Sequence, residues 1–171
     1  QRYESMSDEM TKPILYSFRR CPYAMRARMS LLESGIEVEL REVILRDRPE
    51  HMMEISPKGT VPVLLLPDGT VIEESLDIML WSLDESWLAG DWKEIIQVND
   101  GEFKHHLDRY KYNNRFDNVL SSEEHREHAV SILKTYEERL SNQAYLCGDS
   151  ISLVDLALSP FVRQFANTDR A

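Results

Sequence analysis

The heptapeptide FRRCPYA, residues 18–24, contains one of only two cysteines in this chain of 171 residues. Cys21 follows an apolar run and precedes a helical pattern that starts at Pro22, so it is predicted to lie at a helix N-terminus. The unpaired N–H groups there favour a thiolate, and arginines at positions 19, 20, 26 and 28 would stabilise the anion. The same pattern is also typical of a core cysteine that precedes a helix, with arginines on a solvated face. Because Ala24 stands where a C-x-x-C motif has its second cysteine, redox chemistry at Cys21 would need an outside thiol.

The elements that must position Cys21 follow one another in the first half of the chain. The pattern predicts a strand over residues 14–18, a helix ended by Gly35, a strand over 37–43 and a short helix over 50–55. Two strands, residues 63–66 and 71–72, are joined by the turn signal Pro67-Asp68-Gly69, and Ser75 is predicted to cap the helix that follows. The order β-α-β-α-β-β-α indicates one α/β unit with a mixed four-stranded sheet.

The second half of the chain shows helical periodicity and no strand pattern. The prediction is a tail over residues 1–12, an α/β domain over 13–85, a linker over 86–91 and an all-α domain over 92–171. Because Met6 resembles a natural start, residues 1–5 are interpreted as a cloning remnant. Ser152 and Asp155 form an S-x-x-D capping box before an apolar run, and their expected role is structural. Pro160 predicts a kink in that helix.

Composition excludes several classes of function. The formal net charge of −10 argues against nucleic acids or anionic membranes as main partners. No apolar stretch approaches the roughly 20 residues that span a bilayer, and the first residues do not resemble a secretory signal. Cys147, far from Cys21 in sequence, completes neither a disulfide framework nor a metal-binding spacing. A reducing cytoplasmic location is therefore predicted.

Four segments in order resemble the cysteine-type glutathione transferases, namely the omega-like and dehydroascorbate-reductase-like branches, and a bacterial member is expected. They are CPYAMRAR (residues 21–28), LRDRPEHM (45–52), SPKGTVPVL (56–64) and the ES of IEESLDIM (72–79). A weaker resemblance extends through GDSISLVDLALSPF (148–161). The resemblance implies a thioredoxin-like N-terminal domain, and it implies an α-helical C-terminal domain that is incomplete here, because the family continues for at least two more helices.

The resemblance also implies a role for each matched residue. Cys21 is the expected catalytic thiol, and Val61 would pair with the glutathione backbone because a cis-proline at Pro62 turns it outward. Glu74 and Ser75 would hold the γ-glutamyl end of glutathione. Arg48 would meet the glycine carboxylate, although a solvated loop arginine explains it nearly as well. A second-substrate pocket would include Tyr23 and Tyr110, with ordinary core packing as the alternative for Tyr110.

The function implied is glutathione-dependent thiol transfer or dehydroascorbate reduction through a mixed disulfide at Cys21. Glutathione is the expected cosubstrate. The second substrate is expected to be a small electrophile, a disulfide or a glutathionylated molecule, and the chain is expected to form a homodimer. The first alternative is a non-catalytic adaptor of the same fold that binds a protein partner. A second alternative, which is less favoured, is a soluble form of a membrane-inserting relative. No metal is expected, because His105-His106 and His125 with His128 lie among charges and are interpreted as solvated helix surface.

Overall fold

The computed structural model describes residues 11–117 and 119–169, and the chain divides into two compact units. The first unit ends at Ser82 and the second begins at Leu83. The predicted tail lies outside the described residues as far as residue 10. Residues 86–91, the predicted linker, include part of a 3-10 turn over Glu85–Trp87 and the residue Asp91 that precedes the next helix.

A mixed sheet of four strands forms the centre of the first unit. The strands are β1 (Ile14–Ser17), β2 (Glu39–Glu42), β3 (Val63–Leu65) and β4 (Val71–Ile72), and their spatial order is β2-β1-β3-β4. β1 runs parallel to β2 and antiparallel to β3, which pairs antiparallel with β4. With the helices α1 (Pro22–Glu33), α2 (Glu50–Ile55) and α3 (Ser75–Ser82), this confirms the predicted element order and the thioredoxin-like fold.

Burial on both faces explains why β1 is apolar at successive positions. Ile14 and Tyr16 pack on one face of the sheet with Val43, Met52 and other apolar residues. Leu15 packs on the opposite face with residues of β3, α1 and α3. β1 is therefore held from both sides, and it delivers the chain to the start of α1 in a fixed position.

The described part of the second unit consists of helices joined by turns and loops, and it contains the isolated β-bridge between Tyr145 and Gly148. Its helices are α4 (Trp92–Val98), α5 (Lys104–Lys111), α6 (Ser122–Asn142) and α7 (Leu153–Asn167), and a π-helical segment, Asn99–Phe103, joins α4 to α5. In the described part of the chain, no helix combines the length and the apolar character needed to cross a membrane.

The capping box at the start of α7 is confirmed. The Ser152 N–H donates to Asp155 Oδ2 at 2.8 Å, and the Ser152 side chain accepts from the third residue of the helix. Asp155 Oδ1 also accepts from the Leu146 N–H at 3.1 Å, so one carboxylate fixes both the helix start and the loop before it. The apolar residues that follow, from Leu153 to Phe161, are largely buried, as the sequence predicts.

Candidate active site

Cys21 occupies the N-cap position of α1, as predicted. Its backbone is extended (φ −74°, ψ 120°), its carbonyl accepts from the Met25 N–H at 2.9 Å, and its N–H donates to the Phe18 carbonyl at 3.1 Å. Cys21 is a free, half-buried thiol. The first-turn N–H groups of a helix lack intrahelical partners and carry the positive end of the dipole. Cys21 therefore stands at the positive end of the α1 dipole, as the sequence predicts.

Arg28 holds the loop between β1 and α1. Its guanidinium donates to the Ser17 hydroxyl at 2.6 Å, to the Phe18 carbonyl at 3.2 Å and to the Arg19 carbonyl at 3.0 Å. These are oxygen acceptors of the loop itself. Arg28 thus fixes the loop that presents Cys21, whereas the sequence predicted a cation that stabilises the anion.

Val61 and Pro62 lie opposite the cysteine. The Val61-Pro62 peptide bond is cis, which confirms that prediction. The Cys21 thiol donates a weak hydrogen bond to the Val61 carbonyl, with a sulfur-to-oxygen distance of 3.9 Å. The backbone segment predicted to bind an extended peptide therefore runs beside the sulfur.

Arg48 contacts the turn that leads to Val61. Its Nε donates to the Gly59 carbonyl at 2.6 Å. Gly59 has φ +67°, and a Cβ there would come within 3.3 Å of Arg48 side-chain atoms and 3.2 Å of the Met53 sulfur. Glycine is required at such a close approach with positive φ. Arg48 is exposed and contacts the turn two residues before Val61, and its contact with a ligand carboxylate stays a prediction.

Glu74 and Ser75 stand at the start of α3, and each has a cationic partner. Glu74 forms an exposed ion pair with Lys58 at 2.5 Å. The Ser75 hydroxyl accepts from Arg26 Nε at 2.9 Å, and both side chains are buried, Arg26 being 2% and Ser75 3% exposed. A hydroxyl that accepts one hydrogen bond still has its own hydrogen to donate. Arg26 therefore orients the Ser75 hydroxyl as a donor.

The contacts of Arg26 and Lys58 were not predicted from the sequence. Arg26 was predicted only as one of several cations near Cys21, and Lys58 was assigned no role. The available signal was the basic residue in each of two motifs, CPYAMRAR and SPKGTVPVL. Their partners lie 49 and 16 positions away in the chain, and periodicity within an element does not reveal such pairings.

Two hydroxyls just before Cys21 are already engaged. Tyr16 is 1% exposed; its hydroxyl bonds to His51 Nδ1 and accepts from Arg41 at 2.8 Å. The hydrogen bond with Tyr16 is the largest factor that raises the pKa of Arg41 above its ordinary value. Ser17 is fully buried and accepts from Arg28. Both hydroxyls are therefore held by protein partners.

The two predicted pocket tyrosines have different surroundings. Tyr23 is half-buried in the first turn of α1, and the Arg26 guanidinium lies 5.2 Å from its ring centroid. Tyr110, on α5 in the second unit, is 9% exposed, and its ring centroid lies 5.4 Å from that of Phe165. This packing matches the core alternative for Tyr110, and the pocket role of both residues stays a prediction.

The interpretation of the paired histidines as solvated helix surface is wrong for two of them. His106 is 9% and His125 only 3% exposed, and their Nδ1 atoms are 2.9 Å apart. They face each other because α5 and α6 pack together, so the charged residues around them in sequence lie on other faces of the helices. His105 and His128 are exposed, as predicted.

Two family descriptions match most of the chain. "Glutathione S-transferase, N-terminal domain" matches residues 15–86, and "Glutathione S-transferase, C-terminal domain" matches residues 106–171. A probable glutathione S-transferase, parA, from Nicotiana tabacum is 30% identical over 168 residues, which cover 92% of this chain and 74% of that relative. The omega-1 glutathione S-transferase of Rattus norvegicus is 28% identical over 162 residues, or 88% of this chain and 66% of the relative.

A solved structure supports the same grouping. The chain is similar to the glutathione transferase Omega 3C from Trametes versicolor, with a TM-score of 0.76 and 25% sequence identity. That similarity covers 90% of this chain and 72% of the fungal chain. The fold and both family descriptions therefore indicate the same protein family.

Proposed function

The chain belongs to the glutathione S-transferase family, and from this premise we propose that it is a glutathione-dependent thiol transferase or dehydroascorbate-type reductase whose nucleophile is Cys21. The observation that carries the proposal is the position of Cys21 at the N-cap of α1, with its sulfur beside the Val61 carbonyl. A thiolate is the reactive form in disulfide exchange, and a helix N-terminus is where proteins stabilise one.

The proposed reaction has two exchange steps. The Cys21 thiolate attacks the glutathione sulfur of a mixed disulfide; a bond forms between the two sulfurs, and the other thiol leaves as a thiolate with the electron pair of the broken bond. A glutathione thiolate then attacks the mixed disulfide at Cys21, which releases oxidised glutathione and regenerates the Cys21 thiolate. The external glutathione is the reductant, as Ala24 offers no resolving thiol within the motif.

Residues 13–85 are proposed as the glutathione-binding domain. The Val61 backbone would pair with the extended tripeptide as an added strand, and Arg48 would meet its glycine carboxylate. Ser75, with its hydroxyl hydrogen left to donate by Arg26, would bind the γ-glutamyl carboxylate at the start of α3. Glu74 would attract the γ-glutamyl ammonium, and Lys58, which pairs with Glu74, supplies a second cation for the anionic ligand.

A pair of cysteine variants tests the mechanism directly. Reduction of a glutathione mixed disulfide is measured for the natural chain, for Cys21→Ser and for Cys147→Ser, the matched control. We expect Cys21→Ser to lose turnover and the glutathione adduct seen by mass spectrometry, and Cys147→Ser to retain both. Full turnover by Cys21→Ser would refute the mechanism.

The adaptor alternative predicts a different pattern. A non-catalytic adaptor would neither bind a glutathione-affinity column nor reduce the mixed disulfide, whereas the proposed enzyme does both. Conjugation of glutathione to an electrophile is expected to be slow, because the Tyr16 and Ser17 hydroxyls are occupied by protein partners. A cytoplasmic location and a homodimer also belong to this proposal; size-exclusion chromatography with light scattering tests the homodimer.

A further inference from the structure

Four of the five histidines in the chain converge at one place in the second unit. His105 and His106 lie on α5, and His125 and His128 on α6. The rings of His106 and His125 have centroids 5.2 Å apart, and the His105 ring lies 4.9 Å from that of His106 and 5.8 Å from that of His125. His128 stacks on His106, with ring centroids 4.6 Å apart and planes 11° apart. Such a group of imidazoles has the donor chemistry of a transition-metal site.

Three of these side chains each present a ring nitrogen to a common point. The candidate ligand atoms of His105, His106 and His125 all lie within 4.8 Å of one another, and the Nδ1 atoms of His106 and His125 are 2.9 Å apart. Two nitrogens bound to Zn²⁺ at about 2.0–2.1 Å in tetrahedral geometry are about 3.3 Å apart. The buried pair is thus already at nearly the required separation, and the exposed His105 must move inward by about 1.5 Å or less.

A metal ion bound through Nδ1 would replace the hydrogen bond between the two buried histidines. Each imidazole would then carry its hydrogen on Nε2. His125 Nε2 is buried and makes no hydrogen bond within the part of the chain that the structure describes, so it is not engaged elsewhere and can carry that hydrogen.

We propose that His105, His106 and His125 form a binding site for one divalent transition-metal ion of the zinc type, which links α5 to α6. Three protein ligands leave a fourth position, which water or another small ligand would fill. His128 is a stacking neighbour that orients His106 without binding the ion. The charged groups around the site are Arg109, which acts on both buried histidines, and Glu124, which acts on His125. Arg109 stacks on the Phe116 ring with its guanidinium carbon 4.3 Å from the centroid.

Zinc titration of the full chain tests this site. Isothermal calorimetry with Zn²⁺ alone is expected to show one ion per chain, and bound Zn²⁺ should raise the melting temperature because it binds only the folded state. His125→Ala is expected to weaken binding by at least about 100-fold, since even the loss of an outer-shell partner costs 10- to 100-fold. His51→Gln, which changes the one histidine outside the cluster, is the matched control and should bind as the natural chain does.

Two further measurements keep the result decisive. If His125→Ala fails to fold, His105→Ala tests the site at an exposed position whose loss does not disturb packing, and it too should weaken binding. X-ray absorption of the zinc complex should show nitrogen or oxygen neighbours at about 2.0–2.1 Å and no sulfur at about 2.3 Å. Zinc bound through sulfur, zinc affinity unchanged in His105→Ala, or no stoichiometric binding to the natural chain would each overturn the proposal. None of these readouts depends on glutathione or on Cys21.

Discussion

The buried contact between Arg26 and Ser75 ties α1 to the start of α3, and a double-mutant cycle can measure its strength. The donor Nε and the acceptor Oγ are 2.9 Å apart, and both side chains are almost inaccessible to water. Ser75→Ala removes the acceptor of this buried hydrogen bond. Arg26→Met removes the donor and its charge while keeping much of the side-chain volume.

The expected coupling free energy is about 2 kcal/mol, because a hydrogen bond from a charged donor contributes roughly 1.5–3 kcal/mol. Ser75→Ala alone should cost about 2–3 kcal/mol. Arg26→Met should cost less, since it also removes the free-energy cost of burying a charge. If Arg26 orients Ser75 for glutathione, Arg26→Met should also raise KM for glutathione about 5-fold, which corresponds to roughly 1 kcal/mol, with little change in kcat.

Native-state hydrogen exchange is the appropriate assay, because it reports the stability of the first unit separately from that of the second. Exchange of α1 and α3 amides would be followed in the natural chain, both single variants and the double variant. Ser82→Ala is the matched control: its hydroxyl lies on α3 and donates to the Met79 carbonyl of the same helix, so it should be additive with Arg26→Met. Additivity of Arg26→Met and Ser75→Ala within about 0.5 kcal/mol would refute the reasoning.

Three further predictions concern the second unit. Asp155→Ala should lower the free energy of unfolding by about 2–4 kcal/mol, because the carboxylate accepts two backbone hydrogen bonds; thermal melting checks this, and Ser159→Ala, at an exposed position on the same helix, should change little. Cys147 should be alkylated slowly at neutral pH, because burial, and next the Asp91 charge, raise its pKa; iodoacetamide labelling should become faster in Asp91→Asn, and an unchanged rate would contradict this. Arg139 lowers the pKa of Asp91 below its ordinary value of 3.8. Their exposed ion pair should therefore add a small stability that is present at neutral pH and is lost as the pH falls below 3.8. The free energies of unfolding of the natural chain and of Arg139→Met, measured against pH, should differ above that pH and converge below it.

The sequence alone predicted much of the first unit because its signals are local. Pro22 after Cys21 marks a helix start, Gly35 marks a helix end with φ +70°, and Pro67-Asp68-Gly69 marks the turn between β3 and β4. Each of these signals depends on backbone preferences of residues within a few positions. The cis bond before Pro62 was predicted from a resemblance, since nothing in the preferences of Val61 or Pro62 requires it.

The contacts that were not predicted depend on how distant elements pack. His106 and His125 are 19 positions apart, and each sits in a charged stretch that is typical of a solvated surface. Only the packing of α5 on α6 turns these two positions inward. The burial of Arg26 is similar, because its acceptor is contributed by a helix that begins after three intervening strands.

The three hydrogen bonds from Arg28 to the loop before Cys21 connect groups only 9 to 11 positions apart in the chain. Closing so short a segment costs little chain entropy, and contacts of low sequence separation form early in folding. The loop that presents Cys21 is therefore stabilised largely by contacts with residues close to it in the chain. Substitutions at the distant edge of the sheet should leave the conformation of this loop unchanged, whereas loss of the Arg28 side chain should change it.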